Sequence, residues 1–269
     1  MKMIIDVHTH TNFSPDSDAP IESMLETAHQ KGLVFYGLSD HFEYDHESPF
    51  NPSPEKEAAY FHQARHLQED YEGSMNVLVG AEFGYSTKPS AQERAMRTCE
   101  KYHLDFVVNS VHDLDGEDYY FKRVFVNKDK PETYGDYLRF VRQSLDVPYH
   151  YDIVGHIGYH TRYAPYADRR MYVEEFQAEI DDILQTIIKK DKILEINSSN
   201  KGGVEAFLPE RKLLERYFAL GGRKVSFGSD AHDPSRIAEN YEKACAMAKE
   251  IGFTHFTVPC KGEHIKIEL

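Results

Sequence analysis

The feature that most constrains the fold is a regular alternation of short apolar runs with longer segments of helical periodicity. The predicted strands span residues 3–7, 33–38, 76–81, 106–109, 153–154, 193–196, 224–227 and 255–258. The predicted helices span residues 21–31, 53–72, 91–102, 134–145, 173–190, 209–220 and 234–250. Alternation of this kind is typical of an α/β fold in which helices cover parallel strands.

Chain length and turn signals indicate how these units are arranged. The 269 residues contain seven or eight units and no low-complexity linker, so we predict one domain spanning residues 1–269. We expect a closed barrel, because single α/β barrels commonly have this size. An open doubly wound sheet stays an alternative, although the first strand–helix turn lacks G-x-G-x-x-G. Residues 111–130 are predicted to form a long loop of the kind that builds barrel active sites.

The charge balance and the hydropathy argue against several classes of function. The formal net charge of −14 disfavours nucleic-acid binding through a broad basic surface. No stretch approaches the roughly 18 uninterrupted apolar residues of a membrane helix, and the first residues do not resemble a signal peptide. The three cysteines form no C-x-x-C pair, so neither a disulfide framework nor a cysteine zinc knuckle is predicted. We therefore expect a cytoplasmic location without membrane association.

Residues able to bind metal follow six of the predicted strands. The first strand leads into D-V-H-T-H, where His8 and His10 alternate and so project from the same side of an extended chain. The other five strands lead into Asp40 and His41, Glu82, His112, His156, and Asp230 with His232. The C-terminal ends of barrel strands share one rim, so we expect these side chains to converge there. Imidazoles and carboxylates are ligands for divalent transition metals.

Each of these residues has an ordinary structural interpretation when it is taken alone. Glu82 could be a solvated strand end, His112 a loop histidine and Asp230 a helix cap. Their joint occurrence favours metal binding, because carboxylates and imidazoles crowded at one rim without cations would carry a large electrostatic cost. The nine other histidines lie mostly on predicted helices, connectors or the tail, and we predict that they do not bind metal.

The ordered set of motifs resembles the PHP (polymerase and histidinol phosphatase) family. The motifs are D-V-H-T-H with Asp16 downstream, S-D-H at 39–41, G-A-E at 80–82, S-V-H at 110–112, G-H at 155–156 and G-S-D-A-H at 228–232. The resemblance implies a distorted, TIM-like (β/α)7 barrel that holds up to three divalent metal ions.

The same resemblance implies how the metal ligands are shared. A first metal would be held by His8, His10, Glu82 and Asp230. Glu82 would bridge to a second metal, which His112 and His156 also bind. A third would be held by Asp16, His41 and His232. Many relatives carry His at the position of Asp16, so the metal stays open among zinc, iron and manganese.

Within the family, the chain is similar to the stand-alone phosphatases that convert L-histidinol phosphate to L-histidinol and phosphate in histidine biosynthesis. The similarity rests on the length, the H-T-H-T-N-F-S-P-D-S opening, the insert after His41 and the arginine of GHIGYHTRYAPY. It implies that Arg162 and Tyr163 bind phosphate and that E-I-N-S-S-N-K supplies further contacts from Asn197 and Lys201. Relatives often carry an arginine-bearing loop after this stretch, where this chain has Lys-Gly-Gly.

The residue inventory favours direct attack on phosphorus by a hydroxide shared between metal ions, since cations lower the pKa of bound water to about 7. No Cys or Ser lies in a phosphatase signature, so a covalent intermediate is not expected. Arg162 can donate two hydrogen bonds to phosphate, which makes it a candidate catalytic residue. Asp40 is a candidate acid for the leaving group, with a metal ion as the alternative. Glu43, Asp45 and residues 111–130 are candidates for binding the amine and imidazole of histidinol.

Three alternative functions stay open. A two-metal amidohydrolase also begins with H-x-H, but it does not need Asp16 and His41 and usually ends in a lone Asp rather than D-A-H. A phosphatase of the same family could act on phosphotyrosine, a nucleotide or another small phosphoester. A non-catalytic, metal-stabilised module like the PHP domains of polymerases is the third, and the full set of predicted ligands argues against it.

Overall fold

Strands and helices alternate throughout the computed structural model, which describes residues 3–45, 50–200 and 205–269. The main strands are β1 (Ile4–Asp6), β2 (Leu33–Leu38), β3 (Asn76–Gly84), β4 (Phe106–Ser110), β5 (Ile153–Val154), β6 (Ile193–Asn197) and β7 (Val225–Gly228). The helices are α1 (Ile21–Gln30), α2 (Pro54–Asp70), α3 (Pro89–Tyr102), α4 (Lys130–Ser144), α5 (Gln177–Lys189), α6 (Arg211–Ala219) and α7 (Tyr241–Ile251). Each helix therefore follows the strand of the same number.

The seven strands pair in chain order, and every pairing is parallel. The first and last strands are joined just beyond β1, where Val7 N donates to Phe227 O over 3.1 Å and His10 N to Ala231 O over 2.9 Å. The buried carboxylate of Asp6 strengthens this junction by accepting from Ser229 N at 2.9 Å and Ala238 N at 2.8 Å. The prediction of a single-domain (β/α)7 barrel is confirmed, and the open sheet is excluded.

Burial on both faces explains why the strands are apolar along their whole length. All residues of β4 and β6 are buried, as expected for a parallel sheet with side chains packed inside and helices outside. The helices are amphipathic: α1 buries Ile21, Met24, Leu25 and Ala28, which recur at the spacing of one helix face. The apolar pattern thus positions the strands, and the strands position the polar residues that follow them.

Side-chain caps shift several helix boundaries from their predicted positions. Helix α4 begins at Lys130 rather than 134, because Asp129 accepts from Glu132 N over 3.0 Å and caps it. The predicted helix 234–250 was wrong at its start: residues 234–236 form a 3-10 turn and α7 begins at Tyr241. The physical reason is that Ala238 N donates to Asp6 and so cannot join a helix.

The remaining differences from the predicted elements lie in the C-terminal part of the chain, from α5 onward. The predicted helix 209–220 begins at Arg211, because the preceding Leu208 exchanges backbone hydrogen bonds with Asn197. Helix α5 begins at Gln177 rather than 173. The last predicted strand lies outside the barrel sheet, where β8 (His255–Cys260) pairs antiparallel with β9 (Glu263–Glu268).

The predicted loop 111–130 has a defined structure. Residues Asp113–Leu114 pair antiparallel with Glu117–Asp118, and two 3-10 turns follow at Tyr119–Phe121 and Arg123–Phe125. The loop follows β4 and therefore lies on the C-terminal rim of the barrel, as predicted. Within the described residues, no helix combines the length and apolar character needed to cross a membrane.

Candidate metal centre

The C-terminal rim of the barrel gathers the polar residues that the sequence analysis singled out. Two histidines come from the chain after β1, and Glu82 comes from within β3. The segment His41–Phe42 pairs with β3 beside Glu82, which brings its histidine to the same place. The structure places all nine predicted ligands together: His8, His10, Asp16, His41, Glu82, His112, His156, Asp230 and His232.

Glu82 lies at the centre of this group and is fully buried. Its Oε1 atom is 3.3 Å from His8 Nε2, 3.3 Å from His112 Nε2 and 3.0 Å from His156 Nε2. Its Oε2 atom is 2.9 Å from His41 Nδ1 and 3.6 Å from His10 Nε2. One carboxylate is thus shared by five imidazoles, which is the arrangement expected of a bridging ligand.

Two further carboxylates extend the cluster toward solvent. Asp230 Oδ1 is 3.2 Å from His10 Nε2, and Asp16 Oδ2 is 3.1 Å from His232 Nε2. Three groups of possible ligand atoms result: His8, His10 and Glu82; His41, Glu82 and His112; and His10, His41 and His232. The third group includes His10, which the resemblance assigns only to the first metal.

Carboxylates outside the cluster fix the orientation of two of its imidazoles. His8 Nδ1 donates to Glu195 Oε1 over 2.6 Å, and His112 Nδ1 donates to Glu43 Oε1 over 2.7 Å. An ionised carboxylate only accepts, so the Nδ1 atom of each ring carries the hydrogen. The Nε2 atoms of both rings then face Glu82, where each can donate to the carboxylate or, once deprotonated, bind a metal. This carboxylate–histidine arrangement is typical of metal sites.

A hydroxyl fixes the orientation of His10 in the same way. The single hydrogen of Ser14 Oγ goes to Asp40 Oδ1, which is 2.6 Å away. Ser14 Oγ must therefore accept from His10 Nδ1, 3.1 Å away. His10 Nε2 is left with a lone pair directed at the cluster.

The donor atoms of the cluster fit divalent metal ions. His8 Nε2 and His10 Nε2 are 3.1 Å apart, and His112 Nε2 and His156 Nε2 are 3.3 Å apart. When both nitrogens of such a pair are deprotonated, their lone pairs repel each other, and a cation bound by both makes the contact favourable. In addition, Glu82 Oε2 has no hydrogen-bond partner within the described residues although it is buried. Nitrogen and oxygen donors of this kind suit zinc, iron and manganese.

The surrounding imidazoles keep the central carboxylates ionised. Burial raises the pKa of Glu82, but His8, His112 and His41 outweigh burial and hold its pKa well below the usual value. Burial likewise raises the pKa of Asp230, and its histidine neighbours again reverse the effect and hold that pKa well below the ordinary value. Both side chains are therefore negative at neutral pH, the state in which a carboxylate binds metal.

A cavity of about 480 Å³ opens above the cluster, and Arg162 forms part of its wall. Arg162 follows β5 at the end of a short 3-10 turn, Tyr159–Arg162. Its Nη2 atom donates to Asn197 Oδ1 over 3.2 Å and lies 3.6 Å from Asp230 Oδ2. These contacts place a nearly buried guanidinium beside the candidate metal ligands.

The predicted substrate contacts fall into different environments. Arg162 and Tyr163 line the cavity, whereas Asn197 is fully buried and contacts Arg162. Lys201 lies outside the described residues. Glu43 borders the cavity, but its carboxylate accepts from His112, so the structure makes it an orienting residue. Its predicted contact with a substrate amine stays a prediction.

Asp40 and Asp45 do not border the cavity. The Asp40 carboxylate accepts from Thr11 N at 2.8 Å and from Ser14 Oγ at 2.6 Å, which ties the chain after β1 to the chain after β2. This geometry favours a structural role for Asp40, and its predicted role as the leaving-group acid stays untested. Asp45 accepts from Ser86 Oγ over 2.6 Å and pairs with Lys88.

Sequence reasoning missed several residues that support the ligands. Glu195 accepts from His8 with one oxygen and from His156 N, over 2.6 Å, with the other. Ser110 Oγ donates to Glu82 Oε1 over 2.6 Å. The signal for Glu195 was present: a lone carboxylate inside the apolar strand I-L-E-I-N is costly to bury unless it has a partner.

Comparison with known proteins identifies the family. A sequence model of the PHP domain matches residues 6–199. The chain belongs to the PHP domain family. The resemblance inferred from the strand-end motifs is therefore confirmed.

Relatives match along nearly the whole chain. A probable histidinol-phosphatase of Clostridium acetobutylicum is 30% identical over 248 residues, covering 92% of this chain and 93% of the relative. The histidinol-phosphatase of Lactococcus lactis is 27% identical over 260 residues, covering 93% and 91%. A probable phosphatase of Thermoanaerobacter is also 27% identical, covering 94% of this chain and 89% of the relative.

A solved structure shares the fold. The crystal structure of histidinol phosphate phosphatase from Lactococcus lactis, complexed with Zn, L-histidinol and phosphate, superposes with a TM-score of 0.83 at 23% identity. The match covers 99% of this chain and all of the other. The likeness shows that the whole described barrel has the architecture of that protein.

Replacing Glu195 with Gln should weaken metal binding, because an amide does not stabilise the Nδ1–H of His8 as a carboxylate does. We expect the zinc dissociation constant to rise about 10- to 100-fold, measured by competition with a chromophoric chelator. The control is Glu179→Gln, which changes an exposed glutamate of α5. Equal affinities for the Glu195 variant and the unchanged protein would contradict the orienting role.

Proposed function

We propose that this protein is a metal-dependent phosphomonoesterase, residues 1–269 forming one domain, that hydrolyses L-histidinol phosphate to L-histidinol and phosphate. The observation that carries the proposal is the position of Arg162, which borders the cavity within 3.6 Å of a carboxylate of the metal cluster. Relatives named histidinol-phosphatase support it, as do the zinc, histidinol and phosphate of the Lactococcus lactis complex. The cytoplasmic location expected from the sequence is part of this proposal.

The nine rim residues would hold up to three divalent ions, with zinc, iron and manganese as the candidates. His8, His10, Glu82 and Asp230 would hold the first, with Glu82 shared with a second that His112 and His156 also bind. Asp16, His41 and His232 would hold the third. When bound, such ions activate water for attack on phosphorus and neutralise charge on the phosphate oxygens.

Arg162 would bind the phosphate and orient it above the cluster. Its guanidinium is fixed on one side by Asn197 and lies 5.3 Å above the centre of the Tyr159 ring. A planar guanidinium fixed in this way donates paired hydrogen bonds to phosphate oxygens without further ordering. It also supplies positive charge inside a site built mainly from carboxylates and imidazoles.

The leaving group would lie toward the mouth of the cavity, where Asp118 adds a carboxylate to the lining. Asp118 belongs to the ordered loop after β4, and an ionised carboxylate in that place suits the ammonium group of histidinol. Glu43, to which His112 donates, is the other carboxylate of the lining that the sequence predicted for this contact.

Fewer observations support the three alternative functions. An amidohydrolase does not require Asp16 and His41, yet both side chains belong to the cluster. A non-catalytic module has no need of a cavity that exposes the cluster next to an arginine. Another small phosphoester is the strongest alternative, because some relatives of similar identity are named only as probable phosphatases.

Phosphate release from a substrate panel tests the proposal. We expect the purified protein, loaded with zinc, iron or manganese, to give its highest kcat/KM on L-histidinol phosphate, compared with phosphotyrosine, AMP and p-nitrophenyl phosphate. A chelator should abolish release, and added metal should restore it. Faster hydrolysis of AMP or phosphotyrosine would transfer the assignment to another phosphatase specificity. Hydrolysis of an amide panel without phosphate release would overturn the phosphatase assignment.

Replacing Arg162 with Ala should reduce kcat/KM for phosphomonoesters by about 10- to 100-fold, the range expected for charge-assisted hydrogen bonds. Arg162→Lys should recover only part of the loss, because an ammonium cannot make the paired contact. Metal content, measured in parallel, should not change in either variant. Arg139→Ala is the control, because Arg139 is an exposed residue of α4 that pairs with Asp136. Unchanged KM and kcat in Arg162→Ala would remove this residue from the phosphate site.

A further inference from the structure

A row of aromatic side chains runs along the cavity from the metal cluster to solvent. We call it the aromatic row, and it consists of Tyr159, Tyr163, Tyr120 and Phe121. Successive ring centres are 5.3 Å, 5.6 Å and 5.3 Å apart, and each pair meets edge to face. All four side chains line the same cavity. The row is therefore continuous.

The inner end of the row lies where the phosphate is proposed to bind. The ring centre of Tyr159 is 5.0 Å from that of His112 and 5.3 Å from that of His156. Arg162 lies over the same tyrosine ring. A substrate whose phosphate is held here must extend its leaving group away from the cluster, along the row and toward solvent.

The outer end of the row is unusually exposed. Tyr120 is 60% exposed and Phe121 is 59% exposed, which makes them the most exposed tyrosine and phenylalanine of the described residues. Leaving two rings in water forgoes the free energy that burying aromatic surface provides. Both rings nevertheless line the cavity, so a bound molecule would cover them.

The outer rings are carried by a fixed turn. Asp118 Oδ1 accepts from Tyr120 N over 2.7 Å, and Lys122 N donates to Tyr119 O over 3.0 Å. Tyr119, between them, is fully buried and packs edge to face on Tyr137. The turn is thus anchored in the core, which presents the two exposed rings in a defined place beside the Asp118 carboxylate.

We infer that Tyr120 and Phe121 are specificity-determining residues that contact a planar, ring-bearing leaving group. The inference rests on the proposed function and adds to it the part of the substrate that these residues select. Edge-to-face and offset contacts between rings are favourable beyond the area they bury. The neighbouring Asp118 carboxylate favours a small cationic leaving group over an apolar protein surface as the occupant of this end of the cavity.

The test compares two substrates on matched variants. L-histidinol phosphate carries a ring, whereas the phosphate ester of L-2-aminobutan-1-ol keeps the amine and phosphate but lacks the ring. In Tyr120→Ala and in Phe121→Ala we expect kcat/KM for L-histidinol phosphate to fall about tenfold, with less than a twofold change for the aliphatic ester. Tyr120→Phe retains the ring and should retain the preference.

Val126→Ala is the control, because Val126 lies on the same loop and is 64% exposed but does not line the cavity. Equal losses on both substrates, or no loss on either, would overturn the inference while leaving the proposed function intact. A third outcome would also overturn it: Tyr120→Ala or Phe121→Ala could leave the substrate preference unchanged but shift the oligomeric state on size-exclusion chromatography. The two rings would then be a contact between copies of the chain.

The two proposals can fail separately. If the unchanged protein does not hydrolyse L-histidinol phosphate, the proposed function fails, and the row is tested with phenyl phosphate against ethyl phosphate on the same variants. A selective loss on phenyl phosphate would then support the aromatic row, and equal values would overturn it.

Discussion

The structure depends on one interaction: a buried carboxylate, Glu82, shared by five imidazoles. A charge that is fully removed from water is costly unless partners compensate for it, and here the five partners come from the chain after four different strands. Closing the barrel is what completes the cluster, because only a closed sheet aims the end of β1, with His8 and His10, and the end of β7, with Asp230, at the same point. The network around Asp6, which joins these two strands, is therefore as important to the site as the ligands themselves.

The carboxylates and the hydroxyl around the cluster determine how its imidazoles are used. Glu195, Glu43 and Ser14 each accept the Nδ1 hydrogen of one histidine, so the Nε2 atoms of these rings converge around Glu82. When those nitrogens are deprotonated, their lone pairs and the Glu82 charge repel one another unless a cation lies among them, so the arrangement favours a bound metal. The same rim carries Arg162 and the aromatic row. The loop after β5 sets the proposed phosphate position, and the loop after β4 sets the proposed position of the leaving group.

Much of the fold and of the candidate site could be predicted from the sequence, and the features that were missed or wrongly predicted have physical causes. The barrel followed from the strand–helix alternation, and the convergence of the candidate ligands from histidines and acids placed at strand ends, because strand direction fixes which end each residue reaches. The role of Glu195 was missed because its contacts with His8 and His156 form only when the sheet closes, and the sequence of its own strand does not identify them. The predicted helix at 234–250 was wrong because Ala238 donates to Asp6, a contact 232 residues away in sequence. The sequence predicted only that residues 111–130 form a long loop. The exposure of Tyr120 and Phe121 could not be predicted, because it depends on how that loop folds.

Anomalous X-ray scattering tests the central claim most directly. Crystals grown with zinc would be measured above and below the zinc absorption edge, which locates the metal without reference to activity. The account predicts anomalous peaks within about 2.0–2.2 Å of Glu82 oxygens and of the Nε2 atoms of His8 and His10. A protein that hydrolyses phosphomonoesters while showing no anomalous peak within this cluster would contradict it.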